Sequence, residues 1–159
     1  MTAATFRGGI HPAYNKELAS GASIEEMTLP AVAVVPVGPP IGAPAQPVVK
    51  KGEEVKAGQV IAEAGGFVSV PIHSPVAGKV KAIEPRPHPM GKRLEAIVIE
   101  AAGEDEWADP MEALDPDKAD RQELVDRIRD AGIVGMGGAT FPTHVKLSPP
   151  RGKTIDAVI

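Results

Sequence analysis

The sequence predicts an α+β chain dominated by β-structure, and three observations carry that prediction. Gly and Pro each number 17 in 159 residues, well above average usage, which favours short strands and turns over long helices. Apolar, β-branched runs with period-two alternation recur between residues 31 and 101, as at Val68, Val70 and Ile72. A helical stripe, with apolar residues at i, i+1, i+4 and i+7, occurs at Leu124, Val125, Ile128 and Ala131.

The elements follow in order. Residues 1–27 read as an extended N-terminal segment and residues 28–104 as a β-domain. The run AVAVVPV (Ala31–Val37) is a strand that Pro36 confines to a sheet edge or a strand end. Pro39, Pro40, Pro44 and Pro47 make the next stretch extended and irregular, while its apolar side chains argue that it packs. Two similar half-units come next. VVKKGEEVKAGQVIAEA (Val48–Ala64) is strand, charged turn at Lys50–Glu53, and strand. VSVPIHSPVAGKVKAIEP (Val68–Pro85) repeats this with a turn through Pro75–Gly78. Gly52, Gly58 and Gly78 suit turns that need a positive φ. RPHPMGKR (Arg86–Arg93) reads as a loop and LEAIVIEA as a closing strand.

From Glu100 to Asp120 the chain carries Glu100, Glu104, Asp105, Glu106, Asp109, Glu112, Asp115, Asp117 and Asp120 against the single base Lys118. Such a composition cannot supply a core, so residues 105–117 form an acidic connector with a solvated face. Residues 118–159 hold a helix with Asp117 as its N-cap and Asp120 near the positive end of its dipole. Gly132 stops it. A glycine-rich loop and the strand KTIDAVI (Lys153–Ile159) complete the region.

Several functions are disfavoured. The net charge is -4 and no basic cluster is visible, so no nucleic-acid partner is expected. With no cysteine, the chain offers no disulfide, thiolate zinc site or iron–sulfur ligand. No apolar run approaches the ~20 residues that span a bilayer, and MTAATFRGGIHP lacks the apolar stretch of a signal peptide. Membrane attachment is therefore expected only through partners. His11, His73, His88 and His144 have no ligand-like spacing and read as packed or exposed histidines rather than a metal site. Trp107 is either an interface anchor or a side chain folding back on the β-domain, the second being favoured.

The loop GMGGATFPTHVKL (Gly135–Leu147) is the strongest candidate site. GMGG lets a backbone pass close to a ligand without Cβ obstruction. Pro142 suits the first turn of a following helix, with Thr140 near its cap, and a helix N-terminus attracts phosphate. Lys146 lies one turn further on. The motif is neither a P-loop nor a GxGxxG fingerprint. A glycine-rich helix-to-helix turn explains the same residues equally well.

Two resemblances extend this reading. KKGEEVKAGQVI and IHSPVAGKVKAI resemble the halves of lipoyl- and biotinyl-type barrel-sandwich domains, over about Val48 to Ile83. A swinging-arm carrier needs a modified lysine at the tip between the halves. That tip falls near Gly65, Gly66 and Phe67, and no lysine lies between Lys56 and Lys79. A scaffold is therefore expected, without lipoyl or biotin.

AGIVGMGGATFPTHVKLSPP strongly resembles the flavin loop of the RnfC family, found in Rnf ion-translocating ferredoxin:NAD oxidoreductases. It is also similar to the loop of the FMN- and NADH-binding subunit of respiratory complex I. The start FRGGIHPAYNKELASGASIEEM, with Gly8, Gly9, Ile10, His11 and Pro12, resembles the start of RnfC proteins. The resemblance implies a barrel-sandwich domain followed by the start of an α/β FMN-binding domain. It implies that Gly135, Gly137 and Gly138 line the FMN phosphate and ribityl chain, and that Lys146 pairs with the flavin or its phosphate. Phe141 would contribute to the nicotinamide side. Met136 stands where the complex I relative has arginine, so that charge is lost. The family continues into an acidic flavin- and NADH-site segment and two cysteine-rich motifs for 4Fe-4S clusters, none of which precedes Ile159. The chain is accordingly expected to be an N-terminal fragment of a peripheral subunit on the cytoplasmic face of a prokaryotic membrane complex. The parent would be an NADH-linked flavin and iron–sulfur oxidoreductase, its partners the other subunits and NAD(H), and the fragment alone inactive. The alternative is a non-catalytic docking module that uses the β-domain to bind neighbouring subunits.

Overall fold

The computed structural model describes residues 12–38, 41–104, 106–150 and 152–153. Seven strands precede two helices: β1 (Val32–Pro36), β2 (Gln46–Pro47), β3 (Glu54–Val55), β4 (Val60–Glu63), β5 (Ile72–His73), β6 (Gly78–Pro87), β7 (Arg93–Ala101), α1 (Arg121–Asp130) and α2 (Thr143–Lys146). The strands form two antiparallel sheets, one ordered β1-β7-β6-β3 and one β2-β4-β5. A single cluster of buried side chains joins them, with Ala33, Val55, Val80, Ile97 and Ile99 from the first sheet and Ile61 and Ala62 from the second. The proline-rich stretch packs as expected, through Ala45 and Val49.

Proline placement follows the hydrogen-bond alternation. The Glu95 carbonyl accepts the Val37 N–H, on the β1 side. The backbone N–H and C=O groups of Glu95 and Arg93 therefore point away from β6. Pro85 and Pro87 lie opposite these two residues, where no donor is needed. This corrects the sequence reading, in which the chain leaves the strand at Arg86. Here β6 and β7 form a long hairpin and only residues 88–92 turn. Pro36 ends β1 with its missing donor on the open sheet edge.

Three further expectations change. Val68 and Val70 are not in a strand, because the Val68 carbonyl accepts from Ala43 N–H and Pro71 has no donor for β4, leaving β5 with Ile72–His73 alone. Gly52 (φ 92°) and Gly58 (φ 79°) use positive φ, whereas Gly78 does not. A Cβ on Gly78 would overlap the Glu100 carbonyl oxygen, so this glycine serves a close approach of β6 to β7. Asp117 is not the helix cap. Its N–H bonds Asp115 Oδ1 within a turn, and Asp120 caps α1 by accepting from Glu123 N–H while the Glu123 carboxylate accepts from Asp120 N–H.

The acidic stretch does not run free throughout. Ala57 N–H donates to the Glu106 carbonyl and Ala108 N–H to the Ala57 carbonyl, so residues 106–108 lie as a short parallel neighbour of the β-sandwich. Lys56 Nζ meets Glu106 at 2.5 Å. Trp107 lies over Gly58, with Cε3 3.5 Å from where a Cβ would stand, which is the fold-back reading of that residue. Residues 14–28 are exposed throughout, with one 3-10 turn at Lys16–Leu18. Gly8 to His11, and Thr154 to Ile159 of the expected last strand, lie outside the described residues.

Candidate functional site

Helix α1 ends in a way that launches the glycine loop. Gly132 (φ 69°) donates to the Arg129 carbonyl and Ile133 donates to the Ile128 carbonyl. These two bonds are the paired ending that a glycine just past a helix allows. The loop then closes on itself. Gly135 N–H donates to the Phe141 carbonyl at 2.9 Å, and Thr140 N–H to the Gly137 carbonyl at 3.0 Å.

Of the residues singled out in the sequence, Gly135, Phe141 and Lys146 come together. Lys146 Nζ lies across Gly135, so that a Cβ there would stand 2.5 Å from it. Phe141 takes part through its backbone carbonyl and its side chain is half-buried. Gly137 and Gly138 sit at the exposed crest with open space around them, beside the fully exposed Met136. Among the described residues none accepts from the amides of Met136, Gly137, Gly138 or Ala139. Four consecutive free donors thus lie next to a loop-bound ammonium group.

The expected helix-end site is not formed. Helix α2 is one turn long, Pro142 precedes its first residue, and no side chain caps it. Thr140 has φ 45°, and the Thr143 amide is already bonded to the Ile133 carbonyl. Any attraction for an anion comes from the crest amides and Lys146.

Behind the crest is an apolar cleft of about 510 Å³, walled by Gly138, Thr140 and Pro142 on one side and by Pro71, His73 and Met90 of the β-sandwich on the other. Burial holds His73 below its ordinary value of 6.5, so its ring favours the neutral form. The sequence reading missed both this cleft and the contact between His144 and the Phe67 carbonyl. Neither has a local signal, since each joins residues far apart in the chain.

Residues 4–104 match the RnfC barrel sandwich hybrid domain. The chain belongs to the RnfC family. Residues 128–159 match the Nuo51 FMN-binding domain, so the glycine loop falls within a flavin-binding sequence type. Similar proteins include the C subunit of the Na(+)-translocating ferredoxin:NAD(+) oxidoreductase complex of Acetobacterium woodii, 46% identical over 98% of this chain and 35% of the relative. The corresponding protein of the proton-translocating complex of Clostridium ljungdahlii is also 46% identical, over 98% of this chain and 34% of the relative. That of the ion-translocating oxidoreductase complex of Rhodobacter capsulatus is 44% identical over 91% and 28%. The chain thus spans about a third or less of the length of these relatives.

The barrel-sandwich expectation and the Rnf resemblance both hold. No cysteine is present to ligate a cluster. No group of His, Asp or Glu among the described residues could hold a metal ion, and no helix among them is long and apolar enough to cross a membrane. The donor set at the crest fits a phosphate monoester, the terminal group of FMN: free backbone amides plus one lysine.

Proposed function

We propose that this chain works within a bacterial redox-complex subunit that passes electrons between NADH, FMN and iron–sulfur clusters, coupled to ion translocation. Its glycine loop contributes the phosphate edge of the flavin site. One observation carries this: Lys146 Nζ lies on Gly135 beside the free amides of residues 136–139. The chemistry that bound FMN supplies is exchange of a hydride with NADH and of single electrons with iron–sulfur centres. The chain's own residues hold and orient. Gly135 leaves room for the ammonium group, Gly137 and Gly138 would offer amides with no side chain in the way, and Lys146 would neutralise phosphate charge. The cluster ligands and the remainder of the NADH site come from sequence beyond these residues, and the whole protein sits on the cytoplasmic face of the membrane through its partners.

The crest encloses little of a ligand, so the chain alone should bind FMN weakly. Flavin fluorescence titration is expected to show FMN binding more tightly than riboflavin. Gly135→Ala, which displaces Lys146, should erase about tenfold of that preference. Equal binding of FMN and riboflavin would remove the phosphate role, and stoichiometric quenching at low concentration would sink the incomplete-site reading.

A docking role is favoured by a separate observation. Val32 and Val34 are half-exposed on the open edge strand, and Tyr14, Leu18, Ile24 and Met27 are exposed just before it. Co-purification with the other subunits of its complex, lost on Val34→Glu without loss of folding, is the expected result.

A further inference from the structure

We propose that His144 is a positioning residue that fastens α2 to the tip of the β-sandwich and thereby holds Lys146 across the glycine loop. The tip, residues 64–69, is built to be stiff. Gly65 N–H donates to the buried Ser69 Oγ at 3.0 Å. A Cβ on Gly65 would overlap the Pro44 carbonyl oxygen, and one on Gly42 the Val68 carbonyl oxygen, so two backbone stretches press directly together. From this mount the Phe67 carbonyl meets His144 Nε2 at 2.9 Å, and the Phe67 ring meets the imidazole edge-on at 5.9 Å and 88°.

His144 is 4% exposed, and Nδ1 is buried without a partner. Because a carbonyl can only accept, Nε2 carries the hydrogen. An apolar side chain would fill the same space without leaving a nitrogen unpaired. The imidazole's particular contribution is therefore the directed bond. Helix α2 needs one, since a single turn has no stable orientation of its own. Its other ties are the Thr143 N–H to the Ile133 carbonyl and the Arg121 guanidinium to the Leu147 carbonyl at 2.6 Å. Residues two apart on a helix point roughly 200° from each other. Holding His144 inward on the tip thus turns Lys146 outward onto Gly135. The tip that carriers leave free for a modified lysine is here an anchor for a loop on the second half of the chain.

The use of the anchor in ligand binding rests on the phosphate-edge reading above, but the anchor itself can be tested without ligand. In the full chain, amide exchange at Gly135 and Leu147 should quicken about fivefold in His144→Phe, which keeps bulk and loses the donor. His144→Gln, whose amide reaches as far as Nε2, should restore wild-type exchange. Amides of β7 should not change in either variant. The FMN-over-riboflavin preference should follow the same order, lost in Phe and regained in Gln. If His144→Phe does not fold, His144→Asn takes its place, its side chain being too short for the Phe67 carbonyl. Unchanged exchange at Gly135 and Leu147, or failure of Gln to restore it, overturns the proposal. So does quickened exchange with an undiminished FMN preference. A wild type without that preference sinks the phosphate reading, and the exchange data then decide the anchor alone.

Discussion

The β-sandwich and the glycine-loop region are built on opposite principles. In the sandwich, Ile61, Ile97 and Ile99 are fully buried, and long ladders join β1, β7 and β6. Burial of an isoleucine contributes about 1.5–3 kcal/mol, so this half is held by its own core. Among the described residues from 118 onward, only Val125, Pro142 and His144 are buried. That half is held by end-of-helix hydrogen bonds and by its seat on the sandwich, where a Cβ on Gly132 would come 2.8 Å from the Pro71 carbonyl oxygen. The difference teaches where each kind of change should act. Substitutions in the sandwich should alter stability, and, on the proposed function, substitutions at the loop should alter ligand response with the fold intact.

Ile99→Ala should give the largest effect, a loss of about 3 kcal/mol in urea unfolding. A loss under about 1 kcal/mol would mean that the sandwich core does not carry the fold. Asp120→Ala removes the side-chain acceptor of the Glu123 N–H, leaving only the backbone half of the α1 capping box, and should cost about 1 kcal/mol. Amide exchange should show that cost confined to α1 and its surroundings, and a uniform loss across β7 would erase the distinction between the two regions.

His73 tests the seam between them. Its folded-state value lies below 6.5 because of burial. As pH falls through about 6.5 the unfolded chain takes up a proton that the folded chain resists, so stability declines on the acid side. His73→Gln should flatten the part of the pH–stability curve just below neutrality, and an unchanged curve would place the decline elsewhere. The smallest effect is expected at Met136, whose side chain touches nothing: Met136→Ala should change stability by less than about 0.5 kcal/mol. A larger loss would show that the crest is packed.

Local signals were legible where local physics decides the outcome. The β1 edge position followed from Pro36, and the packing of Ala45 and Val49 from apolar side chains among prolines. The α1 cap was readable too: Asp120-x-x-Glu123 is a capping box, a better signal than the lone Asp117. The long β6–β7 hairpin was not readable, since Pro85 and Pro87 look like strand breakers until their facing residues are known. Gly78 was misread because a glycine required by a neighbouring backbone looks the same in sequence as one required by its own φ.

The sequence by itself determined the β-rich class, the two half-units, the helix stop at Gly132, the glycine loop and membership of the RnfC family. The first four rest on residue type and short-range spacing, and the last on the resemblance of whole motifs to those of known family members. Only the tertiary structure decided that Lys146 lies on Gly135, that Thr143 spends its amide on Ile133, and that His144 reaches Phe67 across 77 residues. A hydrogen bond depends on where two backbones are brought in space, and no periodicity within either segment records the other's position.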